Sequence, residues 1–175
     1  IDVDDIVFKL ETSKSSARKF ITLRYRDKTN FYVSFPPMMT KWPSVTERKE
    51  RSGKYELDLH VPPMGFKDQP VAEEAMQWLE RLTERYAEFI ETTPEAMQLL
   101  FPDRSAKPRN PKETNDVQSK LDPIVVRSGD WPAKIYLKTV TPPVMLDKEM
   151  KLCETATLAL GDSVCGIFQL SGYII

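Results

Sequence analysis

The side chains that could carry acid–base or metal chemistry in this 175-residue chain are few and scattered. His60 is the lone histidine and stands in the alternating run KYELDLHV between acids, where a solvent-facing strand position is the expected reading. Cys153 and Cys165 form no CxxC pair, and with a single histidine a Cys/His zinc site is close to excluded. Cys165 lies in an apolar run, the usual setting of a buried free thiol. Asp2, Asp4 and Asp5 form a small acidic cluster that could attract a divalent metal, but its spacing is unspecific. No Gly-rich phosphate loop, Ser/His/Asp set or HExxH occurs. These residues point neither to an enzyme nor to a bound cofactor.

Charge and aromatic placement are more informative. Residues 14 to 54 contain eleven Lys and Arg against three acids (Asp27, Glu47 and Glu50), a local excess of +8. The whole chain has 25 basic and 26 acidic residues, so the remainder carries 14 against 23, or −9. Such polarisation presents an anion-attracting side whatever the net charge, and nucleic acid is the first partner to consider. A groove for single strands needs cations that track phosphates and aromatic faces on which bases stack. Arg24, Arg26, Lys41, Arg48, Lys49, Arg51, Lys134 and Lys138 are the candidate phosphate contacts, and Phe20, Trp42, Trp131 and Tyr136 the candidate stacking residues. The competing reading of each is a solvated basic face with its aromatics in the core.

The elements that must position these residues are mainly strands. Ile6 to Leu10 is weakly strand-like. From Lys19 the period of two is clear, with Ile21, Leu23 and Tyr25 inward and Phe20, Thr22, Arg24 and Arg26 outward. Asp27 to Asn30 predicts a turn that pairs this strand in a hairpin with Phe31 to Phe35, and Pro36-Pro37 is expected to end the second strand. A long basic loop with Trp42 follows. Lys54 to Val61 alternates cleanly, with Lys54, Glu56, Asp58 and His60 outward.

Asp68 is the expected start of an amphipathic helix with Pro70 in its first turn, and Val71, Ala75, Trp78, Leu79, Leu82, Tyr86, Phe89 and Ile90 make its apolar stripe. Trp78, Tyr86 and Phe89 are expected in the core. Thr93-Pro94 restarts a short second helix through Phe101. Pro102 to Asp122 has almost no apolar residues and is read as a loop or partly disordered insertion. Pro123 to Arg127 and Ala133 to Val140 are strands, the latter with Ile135 and Leu137 inward and Lys134, Tyr136 and Lys138 outward. Val144 to Leu152 is a modest strand or loop, and Ser163 to Ile175 reads as one long terminal strand.

One domain spanning residues 1–175 is the expectation at this length, with a helical insertion at about 68–101 and a flexible loop at about 102–122. No apolar run approaches membrane-spanning length and no basic leader precedes one, so a soluble, intracellular protein is expected. The lack of an initial Met and the end at Ile174-Ile175 inside a strand pattern read as a trimmed fragment. Strands, a helix, then closing strands fit a mainly β chain of OB-fold type, a five-stranded Greek-key barrel with one long amphipathic helix.

The phrases FYVSFPPMM, GKYELDLHV, WLERLTERYAEFI, DWPAKIYLKTV and LALGDSVCGIFQLSGYII, with the basic loop through Arg51, resemble the single-stranded-DNA-binding proteins of certain tailed phages and their counterparts in large DNA viruses of eukaryotes. The resemblance covers most of residues 18 to 175. It implies a sequence-independent coat for exposed strands in DNA replication, recombination or repair, located where DNA is replicated, in a nucleus or a viral factory. It also implies that Gly53-Lys54-Tyr55 opens a barrel strand and that Lys134 to Lys138 lies on the DNA face. Many members recruit polymerase or helicase through an acidic C-terminal tail, which this chain does not show. RNA as the partner stays open, because the choice rests on contacts to the 2′-hydroxyl. The alternative is a protein-interaction or viral assembly module whose basic face meets an acidic partner.

Overall fold

The computed structural model describes residues 1–14, 19–26, 28–29, 31–40, 46–47, 55–101, 117, 121, 123–139, 144–153, 159–170 and 173–174. Among the described residues the fold is mainly β, with two α-helices and antiparallel pairing between neighbouring strands such as Ile6–Thr12 with Lys19–Tyr25 and Tyr55–His60 with Trp131–Thr139. The strands are β1 Ile6–Thr12, β2 Lys19–Tyr25, β3 Lys28–Thr29, β4 Phe31–Thr40, β5 Thr46–Glu47, β6 Tyr55–His60, β7 Val125–Ser128, β8 Trp131–Thr139, β9 Met145–Leu146, β10 Leu152–Cys153, β11 Ser163–Leu170 and β12 Tyr173–Ile174. Helix α1 is Gln69–Thr92 and α2 is Pro94–Leu100. Among the described residues no helix is long and apolar enough to cross a membrane.

The chain divides into two compact units. The first comprises Ile1–Val33, Trp78–Pro123 and Ile167–Ile175, and the second Ser34–Gln77 and Ile124–Gly166. In the first unit β2 is the interior strand, paired with β1 along one edge and with β12 and β3 along the other. Its apolar residues pack with the helices: Ile6, Phe8, Ile21 and Leu23 join Leu82, Tyr86, Ala87 and Ile90 of α1 and Ala96 and Met97 of α2 in one core. Phe8 centres this contact, its ring 5.7 Å from Tyr86 and 5.8 Å from Phe89. Full burial of a large apolar side chain contributes roughly 1.5–3 kcal/mol, so this cluster supplies much of the unit's stability.

The helix begins where the sequence expects. Ala72 N–H donates to the carbonyl of Asp68 at 3.0 Å, and Pro94 restarts the chain at the first position of α2. Trp78 and Phe89 pack on the core and Tyr86 is inside it. Val71, assigned to the apolar stripe, is instead exposed. It stands in the first turn.

The second unit holds most of a six-stranded sheet ordered β11-β4-β6-β8-β7, with β5 paired to β6. Leu59, Val61, Val125, Ala133 and Ile135 are buried there, as are Ala72 and Met76 from the start of α1. Arg127 of β7 reaches Glu73 of α1 at 2.5 Å. Thr40 at the end of β4 donates its hydroxyl to the Ala159 carbonyl at 2.7 Å, while Gly161 N–H donates to the Thr40 carbonyl at 2.8 Å. Gly161 has φ +86, a conformation that favours glycine at this turn.

Several expectations are corrected. The hairpin between Phe20–Arg26 and Phe31–Phe35 does not form: β3 folds back on Arg24 and Tyr25, and β4 belongs to the other sheet. Pro36-Pro37 lies inside β4 rather than ending it; β4 pairs with β11 on one side and with β6 on the other, where Met39 and Thr40 are in register with His60 and Leu59. The terminal strand is two strands, β11 and β12, in different sheets. Cys165 is a free thiol on the exposed side of the β11 alternation, not a buried one. Among the described residues the ladders do not close into a barrel. The 102–122 insertion lies outside the described residues except for Val117 and Leu121, of which Val117 is buried.

Candidate nucleic-acid interface

Strand β8 carries four of the candidate residues. Its alternation buries Ala133 and Ile135 and leaves Tyr136 47% exposed on the other face. Trp131 opens the strand, 68% exposed, opposite Ser128 and beside an irregularity in β7. Across the β6–β8 ladder, Lys134 stands opposite His60, Tyr136 opposite Asp58, and Lys138 opposite Glu56. A stretch read as basic and aromatic is thus set against a strand with acids at two of the three facing positions.

The Lys134 ammonium donates a hydrogen bond to the Tyr136 hydroxyl and lies 4.5 Å from the centre of the same ring. It is also 3.8 Å from Asp58 Oδ2. The tyrosine hydrogen bond is the chief cause that raises the Lys134 pKa above its usual value; burial opposes it, and the Asp58 charge adds to the rise. Lys134 is therefore a cation throughout the physiological range.

His60 is buried, at 8% exposure, rather than facing solvent. Strand β6 is interior to its sheet, with β8 on one edge and β4 and β5 on the other, and Met39 stands opposite His60 on β4. Its Nε2 is 3.1 Å from Asp58 Oδ1 without the alignment of a hydrogen bond. Neither His60 nor Asp58 was a candidate site residue in the sequence, although both lie on the outward face of a clean alternation. The signal that could have found them is strand pairing, which alternation alone does not encode.

Phe20, Arg24 and Arg26 belong to the first unit. Phe20 is half-buried, opposite Glu11 on β1 and Ile174 on β12. Arg24 Nη2 is 2.5 Å from Glu11 Oε1, with the arginine side chain 33% exposed. Arg26 is exposed at φ +48, its guanidinium carbon 5.1 Å from the Tyr25 ring centre. The expected outward face of β2 is not uniformly open, since Thr22 is buried and donates to the Lys9 carbonyl at 3.3 Å. Pairing along both edges puts the middle of β2 inside the sheet.

Lys41, Trp42, Arg48, Lys49 and Arg51 lie outside the described residues. Lys138 is placed by its register only. The N-terminal acids are engaged locally: Asp2 accepts from Asp4 N–H at 3.1 Å, and Asp4 pairs with Arg85 at 2.5 Å. They border an open cleft of about 300 Å³ that Arg81, Arg85, Glu84 and Glu88 of α1 also line. Among the described residues no group of three His, Cys, Asp or Glu is arranged to hold a metal.

No protein-family model, curated protein or solved structure matches this chain.

Proposed function

We propose that the protein binds single-stranded DNA without sequence preference, coating exposed strands where DNA is replicated, recombined or repaired. The observation that carries this reading is on β8, where an exposed tyrosine ring, an ammonium and, at the start of the strand, an exposed tryptophan occur within six residues. Folding buries Phe8, Phe31, Phe35 and Tyr86 and leaves Trp131 and Tyr136 exposed, as it does Tyr32 and Phe66. Stacking of one base on such a ring contributes roughly 1–3 kcal/mol and is indifferent to base identity. The +8 excess in residues 14 to 54 supplies the long-range attraction.

On this reading the sheet containing β6 and β8 plays the part of the strand face of an OB-fold, with an open ladder in place of the five-stranded barrel. The same assignment is what the resemblance to the phage and viral single-strand binders would imply. Quenching of tryptophan fluorescence by oligo-dT, and much weaker quenching by an acidic polypeptide, tests it.

A second reading, a protein-interaction module, is favoured by a different observation. Hairpin β9–β10 forms a two-stranded sheet of its own, and Val144, Leu146, Met150 and Leu152 on it are exposed, at 81%, 46%, 73% and 78%. Exposed apolar clusters of this kind mark interaction surfaces. Saturable quenching by oligo-dT separates the two readings.

A further inference from the structure

The two groups that would receive a nucleotide on β8 are engaged with each other and with a carboxylate. The Lys134 ammonium covers one face of the Tyr136 ring at 4.5 Å and hydrogen-bonds its hydroxyl, while Asp58 Oδ2 stands 3.8 Å from the same ammonium. We propose that Asp58 is a built-in competitor: it occupies the position of a phosphate beside Lys134, and single-stranded nucleic acid engages this face by displacing it. The inference rests on the nucleic-acid reading above and adds its regulation.

Three features of the geometry support it. Asp58 is placed by the ladder, directly opposite Tyr136 and two residues along it from the His60–Lys134 pair, so strand pairing fixes its backbone beside Lys134. Its side chain is 17% exposed and that of Lys134 23%, which leaves both reachable at the surface while limiting the water between them. The contact of 3.8 Å is about 1 Å longer than a charge-assisted hydrogen bond, near 2.8 Å. A phosphate oxygen that approaches more closely therefore outcompetes it.

Besides Lys134, His60 is a described neighbour of Asp58. Its Oδ1 is buried without a hydrogen bond, although His60 Nε2 lies 3.1 Å away. The Asp58 carboxylate acts on Lys134 across 3.8 Å. When a phosphate takes the ammonium, Lys134 leaves the tyrosine ring and frees that face for a base, so displacement and stacking are coupled.

Asp58→Asn keeps the shape and removes the charge. Titration of the full chain with labelled oligo-dT should then show affinity raised several-fold and a plot of log K against log salt steeper by about 0.7, the value for one more phosphate contact on a single strand. The gain should disappear when Lys134→Gln is added. Glu73→Gln, which removes an equal charge from the Arg127 pair away from β8, should leave binding near that of the parent. Asp58→Ser repeats the test if the amide variant does not fold.

Unchanged or weaker binding by a folded Asp58 variant, a gain that survives Lys134→Gln, or an equal gain from Glu73→Gln overturns the inference while the nucleic-acid reading stands. A parent protein that does not bind oligo-dT overturns both.

Discussion

Lys134 and Tyr136, two residues apart on β8, form one unit: the ammonium is hydrogen-bonded to the tyrosine hydroxyl and lies 4.5 Å from the ring centre. A cation over an exposed ring contributes about 0.5–1 kcal/mol. The pair is therefore ordered enough to present a surface, yet weak enough to open to a ligand. Tyr136→Ala should reduce affinity for oligo-dT by about 5- to 150-fold, the equivalent of one lost stacking contact of roughly 1–3 kcal/mol. Tyr136→Phe keeps the ring and should bind within a few-fold of the parent. Anisotropy titration of the two variants checks this, and equal losses in both would assign the effect to the hydroxyl.

Trp131 is 68% exposed at the start of its strand. Trp131→Ala should change stability by no more than about 0.5 kcal/mol, as surface substitutions usually do, while weakening oligo-dT binding. Thermal unfolding followed by titration tests both halves. A large fall in melting temperature would place Trp131 in a structural role.

The alkaline stability of the protein should carry the signature of Lys134. Its pKa is raised above the ordinary 10.5, chiefly by the Tyr136 hydrogen bond. A group whose pKa is raised on folding contributes stability that is fully present below the unfolded value and is lost as pH rises through the folded one. The melting-temperature difference between the parent and Lys134→Gln should therefore be constant at neutral pH and shrink above about 10.5. A difference that shrinks below pH 9, well under the roughly 10.4 of an unperturbed lysine, would mean another group is titrating.

The core of the first unit makes the contrasting prediction. Leu82 and Ile90 are fully buried on α1. Leu82→Ala or Ile90→Ala should cost about 2–5 kcal/mol, whereas Val71→Ala, at an exposed position of the same helix, should stay within about 0.5 kcal/mol. Urea unfolding distinguishes them. Similar effects at all three would contradict the division of the helix into a buried stripe and an open face.

Local patterns were legible in the sequence to the extent that local chemistry determines them. The 3.6-residue recurrence of Leu79, Leu82, Tyr86 and Ile90 placed α1, and Thr93-Pro94 marked the restart at α2. The alternation of β8 correctly sent Ile135 in and Tyr136 out. Pairing was not legible. Alternation states which residues share a face but not which strand comes alongside, so the partners of β2 and the position of Asp58 opposite Tyr136 emerged only from the ladder. His60 shows the same limit: the alternation puts it on the outward face, yet it is 8% exposed. The prolines of β4 also misled, since Pro36-Pro37 lies within the strand rather than at its end.

The most direct test of the central claim is an anisotropy and tryptophan-fluorescence titration with labelled oligo-dT, a matching duplex and heparin, repeated across salt concentrations. Single-strand binding predicts tight, quenching association with oligo-dT, weak association with the duplex, and a slope of log K against log salt of about −0.7 for each phosphate neutralised. Equal affinity for all three would leave a charged surface without a strand-binding site, and no binding to oligo-dT at low salt would contradict the account outright.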